Sequence, residues 1–375
     1  MKEEKRHLKK IMKRIAIGLV AGIVAVVAIA AFVFRKELKT MIHMNKVNSH
    51  PFYEMTYYAD YGLEELAKQG VGSDDALVDF VTKRLLKGLP ITANVDGACS
   101  AFNVQTPEGD YVMARNFDYH PSTAMLVKTN PKDGYRSISM VNLTHIGYNQ
   151  DKQPDTLFHK VTALAAPYIP LDGMNEKGFF IGVLVVKEQI VHQNTGKTPI
   201  TTTSAIRLLL DRATNVDEAV EILSNYDMNS TGDTGYHFFL SDANGKSAVV
   251  EYIDHEMKVI YNTKDTKYLA TTNFTLSTKE QNGVGKDRYE IIQTGLGKNN
   301  GIMTEEATMQ LLEDAKFDGI IASGGNENDP YYDCSTQWSA VYNLTKKTVS
   351  ICIGADYSKV YEYSLEYKQR SIKRG

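Results

Sequence analysis

The chain has 375 residues, 43% of them hydrophobic, and a formal net charge of -3. This length and composition suffice to bury a substantial core in one large domain or two ordinary ones, and they exclude a largely disordered chain. The pI of about 6.3 shows no overall basic excess, which argues against nucleic acid as a partner.

The N-terminal part of the chain predicts a membrane helix. Residues 15–34 carry no charge, and about 20 such residues cross a bilayer as a helix. Basic side chains are denser in residues 1–14 than after the run, so the positive-inside rule predicts a cytoplasmic N-terminus and an extracytoplasmic remainder. The alternative is a cleaved signal peptide with Ala28-Ile29-Ala30 as the cleavage site, although the apolar run is longer than a usual signal core.

Residues 35–98 are predicted to form a helical linker or pro-segment ahead of the remainder. Ser73 provides a cap for a helix whose apolar residues recur at helical spacing, and Gly88 and Pro90 end that helix. The simplest role for this segment is a stalk.

From Cys99 onward strand signals dominate, beginning with a predicted β-hairpin. Two runs of strand-type residues flank the turn Pro107-Glu108-Gly109, and folding about this turn lays Cys99 opposite Phe117, within two residues. The fold of the hairpin therefore brings Arg115 and Asp118 to the thiol. A guanidinium favours the nucleophilic thiolate, and a carboxylate can orient the base that removes the proton. The alternative is a structural cysteine in a strand.

Strands and helices then follow in blocks. We predict a polar turn at 172–178 and strands at 140–143, 179–186, 236–240, 247–253, 258–262, 268–272, 336–343 and 348–353. We predict helices at 203–213, 216–225, 287–294 and 304–314, the second capped by Asn215. This order is typical of a layered α+β domain over residues 99–375, in which helices cover antiparallel sheets.

The chain has three cysteines, Cys99, Cys334 and Cys352. They are too few for a disulfide framework, and no CxxC or His cluster has metal-ligand spacing, so we predict no metal or cofactor. In an oxidising exterior Cys334 and Cys352 either pair, which leaves Cys99 as the unpaired thiol, or are both buried and free.

Several short segments follow Cys99 in a fixed order: Arg115-Asn116-Phe117-Asp118, Asp172-Gly173-Met174-Asn175-Glu176-Lys177-Gly178, His237-Phe238-Phe239-Leu240-Ser241-Asp242, Val249-Val250-Glu251-Tyr252, Thr271-Thr272-Asn273-Phe274, Arg288-Tyr289 and Thr336-Gln337-Trp338-Ser339-Ala340-Val341-Tyr342. In this order they resemble the choloylglycine hydrolase family of linear amide C-N hydrolases, which are N-terminal-nucleophile enzymes. The resemblance runs from Cys99 to about Tyr363 and implies a four-layer αββα sandwich of two antiparallel sheets.

The resemblance also implies a catalytic site. Cys99 would be the nucleophile, and its own freed α-amine, with an unperturbed pKa of about 7.7 to 8.0, would be the general base. Arg115 would depress the thiol pKa and hold substrate, and Asp118 would orient and hydrogen-bond the amine. The alternative for these two residues is an ion pair within the hairpin.

Three further residues match family positions. Asn175 and Asn273 would donate to the oxyanion that forms on the substrate carbonyl, and Arg288 would lie near the site. The alternative for each asparagine is an ordinary turn residue. His237 is predicted to be a structural histidine, because this mechanism needs no imidazole, and Trp338 is predicted to be core or pocket wall.

The residues before Cys99 set this chain apart from bile-salt hydrolases, which lose little more than the initiator Met. The arrangement resembles the acid ceramidase and N-acylethanolamine acid amidase branch, which carries a pro-segment. We therefore hypothesise autoproteolysis between Ala98 and Cys99.

The expected partners are a membrane and a small N-acyl amide such as a bile-salt conjugate, penicillin V, an acyl-homoserine lactone, or an N-acyl amino acid or ethanolamide. The alternatives are an acyltransferase that uses the same thioester, and an inactive membrane-tethered binding module.

Overall fold

The computed structural model describes residues 2–86, 98–187, 189–263, 265–329, 331–366 and 371–374. The predicted helix end at Gly88 and Pro90 lies outside these residues. In chain order the α-helices are α1 (Lys2–Val33), α2 (Arg35–Ile42), α3 (Leu63–Gln69), α4 (Asp74–Val81), α5 (Leu157–Ala163), α6 (Thr202–Arg212), α7 (Val216–Ser224), α8 (Lys286–Lys298), α9 (Glu305–Asp314) and α10 (Gly319–Ala322).

Short helices of other types complete the helical content of the described residues. A π-helix continues α4, and three 3-10 turns lie between strands or next to helices; these elements are Thr82–Leu86, Leu143–Ile146, Ala166–Tyr168 and Thr231–Asp233. The predicted caps are in place, since Ser73 Oγ accepts the Ala76 N–H at 3.2 Å and Asn215 Oδ1 accepts the Glu218 N–H at 3.0 Å. Each satisfies a backbone donor that the first helical turn leaves without a partner.

The strands of the described residues lie in two large sheets and two small ones. In chain order they are β1 (Asn45–Asn48), β2 (Phe52–Tyr57), β3 (Ala98–Gln105), β4 (Tyr111–Tyr119), β5 (Ala124–Thr129), β6 (Ser137–Asn142), β7 (Asp172–Asn175), β8 (Phe180–Val185), β9 (Thr198–Thr201) and β10 (Tyr226–Asn229). They continue as β11 (Tyr236–Ser241), β12 (Ser247–Ile253), β13 (Glu256–Tyr261), β14 (Ala270–Thr271), β15 (Asn273–Phe274), β16 (Gly283–Val284), β17 (Ser335–Asn343), β18 (Thr348–Ile353), β19 (Lys359–Ser364) and β20 (Ser371–Arg374).

Among the described residues, one large sheet has the order β1-β2-β5-β6-β7-β8-β11-β12-β13 and the other has the order β14-β3-β4-β17-β18-β19-β20. Neighbouring strands are antiparallel in both, except that β2 runs parallel to β5. The predicted central position of the apolar strand β8 is confirmed, because it lies between β7 and β11. The predicted polar turn at 172–178 begins instead as strand β7.

The helices cover the outer faces of the two sheets. α6 and α7 contact β7, β8, β11 and β12, whereas α8 and α9 contact β3, β4, β14 and β17, and β3 contacts β8 between the sheets. This gives the αββα layering that the resemblance implied. Phe117 and Trp338 stack in the core with ring centroids 4.0 Å apart.

Residues 35–86 are part of the fold rather than a separate stalk. Strands β1 and β2, which the helical prediction for this segment did not include, extend the first sheet, with Phe52 opposite Ala124 and Tyr57 opposite Thr129. Phe52 and Met55 are buried. β1 pairs with β2, and β2 joins the sheet by pairing with β5, which lies far along the chain. Local periodicity does not report this long-range pairing, so the segment was not predicted to contain strands.

One helix among the described residues, α1, is long and apolar enough over Lys5–Val33 to cross a membrane, and none of its apolar window is buried by the described part of the chain. A membrane span and a signal sequence both have these properties.

Candidate active site

Cys99 lies near the start of β3, in the hairpin that the sequence predicted. Cys99 pairs with Phe117 on β4, which confirms the predicted register. Gly109 in the turn has a φ of 97°, a backbone conformation that favours glycine. Arg115, two residues before Phe117, is on the same face of β4 as Phe117, and its Nη2 donates to Cys99 Sγ at 3.3 Å.

Arg115 is held rigidly between the two sheets. Its Nη1 donates to Asp172 Oδ2 at 2.8 Å and to the Leu171 carbonyl at 2.5 Å, and its Nη2 donates to the Val183 carbonyl at 2.6 Å. Asp172 in turn accepts from Tyr342 and from Trp338. The fixed fork of guanidinium donors therefore aims one N–H at the thiol while other contacts hold the group in place.

Arg288, on α8, joins the other members of the site. Its Nη1 donates to the Cys99 carbonyl at 2.8 Å and to Asp118 Oδ2 at 2.9 Å, and its Nη2 donates to Asn273 Oδ1 at 2.9 Å. Asn273 Oδ1 also accepts the Cys99 N–H at 2.8 Å. The structure thus brings together five of the six residues predicted from the sequence.

Asn175 is the residue that this network does not include. Its Nδ2 donates to the carbonyls of Leu210 and Ala213 at the end of α6, at 3.0 Å and 2.7 Å, and its Oδ1 accepts the N–H groups of Lys177 and Phe179. Both amide hydrogens are therefore used to hold a turn against a helix end. The predicted oxyanion role has no available donor at Asn175, and the alternative interpretation, a turn residue, describes its contacts.

Asp118 has contacts that differ from the prediction. Its Oδ1 accepts from Thr336 Oγ1 at 2.6 Å and its Oδ2 from Arg288, while the Cys99 N–H goes to Asn273. In the intact chain Cys99 has a single backbone N–H, whereas a freed amine has additional protons to donate. The bond from a freed amine to Asp118 therefore stays a prediction.

Arg115 acts on the pKa of the Cys99 thiol in the predicted direction, but burial has a larger opposing effect that the sequence did not indicate. Cys99 is only 2% exposed, and burial raises its pKa above the ordinary value, although Arg115 acts to lower it. Desolvation thus outweighs the guanidinium in the intact chain. Burial raises the pKa of Asp118 as well, against the opposing effects of Arg288 and Thr336.

Sequence reasoning gave no role to two residues that support the site from outside. Asp172 anchors Arg115, and Thr336 anchors Asp118, although both were within quoted motifs. His237 is buried, as a structural histidine would be, and its Nε2 lies 2.8 Å from the Thr272 carbonyl, directly before Asn273. His237 Nδ1 lies 3.2 Å from Glu251 Oε1, which continues the support behind the site.

Neither of the other cysteines is in a disulfide; Cys334 and Cys352 are both buried. Within the described part of the chain, the one group of three metal-ligand side chains lies at His120, Asp333 and Cys334 rather than at Cys99. The Cys99 network consists of a thiol, guanidinium groups, a carboxylate and an amide. This set suits acyl transfer through a nucleophilic sulfur.

The model of the family described as acyl-coenzyme A:6-aminopenicillanic acid acyl-transferase matches residues 104–357, more than half of the chain. Arg115, Asp118, Asn273 and Arg288 lie inside the match, and Cys99 lies five residues before it. No curated protein matches the sequence.

Solved structures of the same architecture include conjugated bile acid hydrolase from Clostridium perfringens in a mutant form, with a TM-score of 0.50 and 16% identity over 74% of this chain and 97% of that one. Penicillin V acylase from Agrobacterium tumefaciens has a TM-score of 0.44 and 16% identity over 73% of this chain and 90% of that one. At these identities the likeness to the first structure shows the fold alone. The family match shows that the chain belongs to the acyl-coenzyme A:6-aminopenicillanic acid acyl-transferase family, in the choloylglycine hydrolase and penicillin acylase group of N-terminal-nucleophile enzymes that act on linear amides.

Proposed function

We propose that this enzyme is an extracytoplasmic hydrolase that cleaves a linear, non-peptide C-N amide bond through an acyl-thioester on Cys99. The observation that supports this proposal best is the convergence on one residue. Arg115 contacts the thiol of Cys99, Asn273 contacts its nitrogen and Arg288 contacts its carbonyl. A cysteine held at all three of these groups has a fixed orientation, as a nucleophile in acyl transfer requires.

The proposed reaction has two steps. The freed α-amine of Cys99 takes the thiol proton as the sulfur attacks the substrate carbonyl, and the same amine then gives a proton to the leaving nitrogen as the C-N bond breaks. Water, deprotonated by the amine, next attacks the thioester and releases the carboxylic acid. Asp118 and Asn273 would orient the amine.

The proposed oxyanion donor is Asn273. In the intact chain its Nδ2 donates to the Val185 carbonyl at 2.9 Å. This donor would be shared with, or transferred to, the oxygen of the tetrahedral intermediate. One such donor typically contributes about 100- to 1000-fold to the rate.

We also propose that the chain activates itself by cutting between Ala98 and Cys99. The Cys99 thiol would attack the Ala98 carbonyl, so that the peptide C-N bond breaks, the amine of Cys99 is freed and a thioester forms. Water would then hydrolyse the thioester to give a carboxylate on Ala98 and restore the thiol. Two features of the intact chain fit an inactive precursor, because the Cys99 nitrogen is an amide and burial raises the pKa of the thiol.

The proposed location places residues 15–34, which include the apolar part of α1, in the cell membrane, with residues 1–14 in the cytoplasm and residues 99–375 outside. The charge asymmetry around α1 supports this orientation. Residues 35–98 would then be a pro-segment rather than only a linker, and the substrate would be a small N-acyl amide.

Acyl transfer is the second candidate function, because the matching family is described as an acyltransferase. An amine in place of water would then resolve the same thioester. Hydrolysis and transfer differ only in the final acceptor, so the partition of a labelled acyl group between water and added amines distinguishes them.

The decisive experiment uses protein shown by intact-mass analysis to begin at Cys99. We expect this form to hydrolyse members of a panel of N-acyl amides and to form an acyl-enzyme on Cys99, and we expect Cys99→Ala to remain uncut and inactive. A full-length chain that is active would contradict the mechanism. A cut chain in which Cys99 fails to react with an acylating electrophile would instead support an inactive binding module.

A further inference from the structure

A second group of reactive side chains lies where β4 ends and β17 begins. His120 follows the last residue of β4, and Asp333 and Cys334 precede the first residue of β17. Because Ser335 pairs with Tyr119, the next position outward places His120 opposite Cys334. The two central strands of the second sheet thus carry an imidazole and a thiol side by side.

The three side chains are close enough to share one ion. One ligand atom from each of His120, Asp333 and Cys334 lies within 4.8 Å of the others, and His120 Nδ1 lies 2.5 Å from Asp333 Oδ1. Cys334 is 4% exposed, whereas the side chains of His120 and Asp333 are 42% and 62% exposed. The sulfur therefore forms the floor of the group, and the nitrogen and oxygen form its solvent side.

The backbone of Cys334 is held by main-chain hydrogen bonds on both sides. The Cys334 N–H donates to the Tyr331 carbonyl at 3.0 Å, and the Cys334 carbonyl accepts the Gly319 N–H at 2.8 Å. A Cβ added at Gly319 would lie 1.8 Å from the Tyr331 oxygen, so this contact requires glycine. The turn before β17 is consequently a rigid platform on which a ligand set can be preorganised.

We propose that His120, Asp333 and Cys334 form a zinc site, with water as the fourth ligand. Thiolate, imidazole and carboxylate are the three ligand types that zinc takes in proteins, at about 2.0 to 2.3 Å. Two ligands at such distances from one ion are at most about 4.6 Å apart. His120 Nδ1 and Asp333 Oδ1, which are hydrogen-bonded at 2.5 Å, would separate as the exposed imidazole and carboxylate rotate to admit the ion between them and the sulfur. Cys334 would lose its proton on binding.

The long gap between His120 and the Asp333-Cys334 pair explains why ligand spacing in the sequence did not reveal this site. The proposed zinc site also lies close to the candidate active site. Asp118 and Thr336, which contact each other in the candidate active site, each lie two residues inward from the proposed ligands on the same two strands. Bound zinc would clamp this end of the strand pair and stabilise the folded chain by mass action.

The test is a metal titration of the full chain after treatment with a chelator. We expect one equivalent of zinc to bind in competition with a chromogenic chelator, and cobalt to give a thiolate charge-transfer band in the near ultraviolet. Cys334→Ser should remove that band, and His120→Ala or Asp333→Asn should weaken zinc binding at least tenfold. The melting temperature should rise with zinc in the unmodified chain but not in Cys334→Ser.

A matched control is available in His159, whose Nδ1 lies 3.1 Å from Asp155 Oδ1 with side chains 31% and 63% exposed. His159→Ala should leave the zinc titration unchanged. The proposal is overturned if the unmodified chain shows no saturable binding, if the cobalt band persists in Cys334→Ser, or if Cys99→Ser removes the band, since the metal would then be on the nucleophile.

Discussion

The two parts of the molecule on either side of the Ala98–Cys99 bond are built from different interactions. On the N-terminal side, strand β2 buries Phe52 and Met55 in the first sheet, and charged groups form pairs that reach solvent, such as Arg84 with Glu65, whose side chains are 26% and 62% exposed. On the other side, the Cys99 hairpin lies in the second sheet and carries fully buried ions. Both members of the Arg115 and Asp172 pair are 0% exposed.

The two parts therefore differ in whether their interactions mainly stabilise the fold or mainly position reactive groups. Burial of apolar side chains stabilises a fold directly, whereas a buried ion pair gains little net stability because desolvation opposes the Coulomb attraction. The ions around Cys99 are therefore better explained as devices that fix the positions of groups than as sources of stability. Changes in the hairpin should alter reactivity, and changes in β2 should alter the association of the two parts.

The largest expected effect is that of Cys99→Ala. Without the sulfur neither the peptide bond before it nor a substrate amide can be attacked, so we expect loss of self-cutting and a fall in kcat of at least about 10,000-fold. Intact mass and turnover of an N-acyl amide measure the two results. Cys352→Ser, at a buried cysteine on β18, should still cut, and cutting by Cys99→Ala would show that another group breaks the bond.

Arg115→Lys tests whether the guanidinium positions the thiol. Lysine keeps the charge beside Asp172 but loses the fork that reaches Cys99 Sγ, so we expect a fall in kcat/KM on the order of 100-fold. The reactivity of Cys99 toward an acylating electrophile, followed against pH, should shift at the same time.

The control for Arg115→Lys is Arg207→Lys, because Arg207 is also a buried arginine paired with an aspartate, Asp211. Both variants should lower the melting temperature, but Arg207→Lys should leave the pH profile of the thiol unchanged. Equal profiles in the two variants would reduce Arg115 to a structural role.

Local patterns in the sequence predicted the hairpin side of the comparison well. The turn at Gly109 fixes the register of Cys99 with Phe117, and the caps at Ser73 and Asn215 mark helix starts, because each is a property of a few consecutive residues. The family motif order added Asn273 and Arg288, which lie far from Cys99 along the chain.

The other features depend on contacts between distant segments. Nothing near Phe52 in the sequence indicates that it pairs with Ala124, and the turn motif around Asn175 does not report that the α6 end takes both of its amide hydrogens. The raised pKa of Cys99 has the same origin, because it depends on how deeply the second sheet buries the thiol.

Met55→Ala tests the N-terminal side. If the chain is cut, the ladder between β2 and β5 should keep the two fragments together, so they should elute as one species in size-exclusion chromatography. Met55 is 1% exposed, and its truncation should lower the free energy of unfolding by about 2 to 5 kcal/mol. The cut form of this variant should separate into fragments, whereas Thr56→Ala on the same strand, at a half-buried position, should not.

Glu251→Gln gives the smallest effect and tests the support behind Asn273. Burial alone would raise the pKa of Glu251, but His237, Ser277 and the Leu276 N–H together lower it to about 2. A carboxyl whose pKa is lower in the folded state contributes stability above its ordinary pKa of about 4.5, and that contribution is lost as the pH falls toward 2.

We therefore expect Glu251→Gln to cost about 2 kcal/mol at pH 7 and progressively less below pH 4.5, with urea unfolding at several pH values as the measurement. Glu256→Gln, at an exposed glutamate whose pKa Lys258 also lowers, should change the acid limb of the stability curve far less, because solvent screens this exposed pair. A constant difference between Glu251→Gln and the unmodified chain at all pH values would mean that shape, not charge, holds the Asn273 segment. A difference that shrinks below pH 4.5 would mean that the charge of Glu251 holds the segment. Glu251 would then act as the buried ions around Cys99 do, by fixing the positions of neighbouring groups.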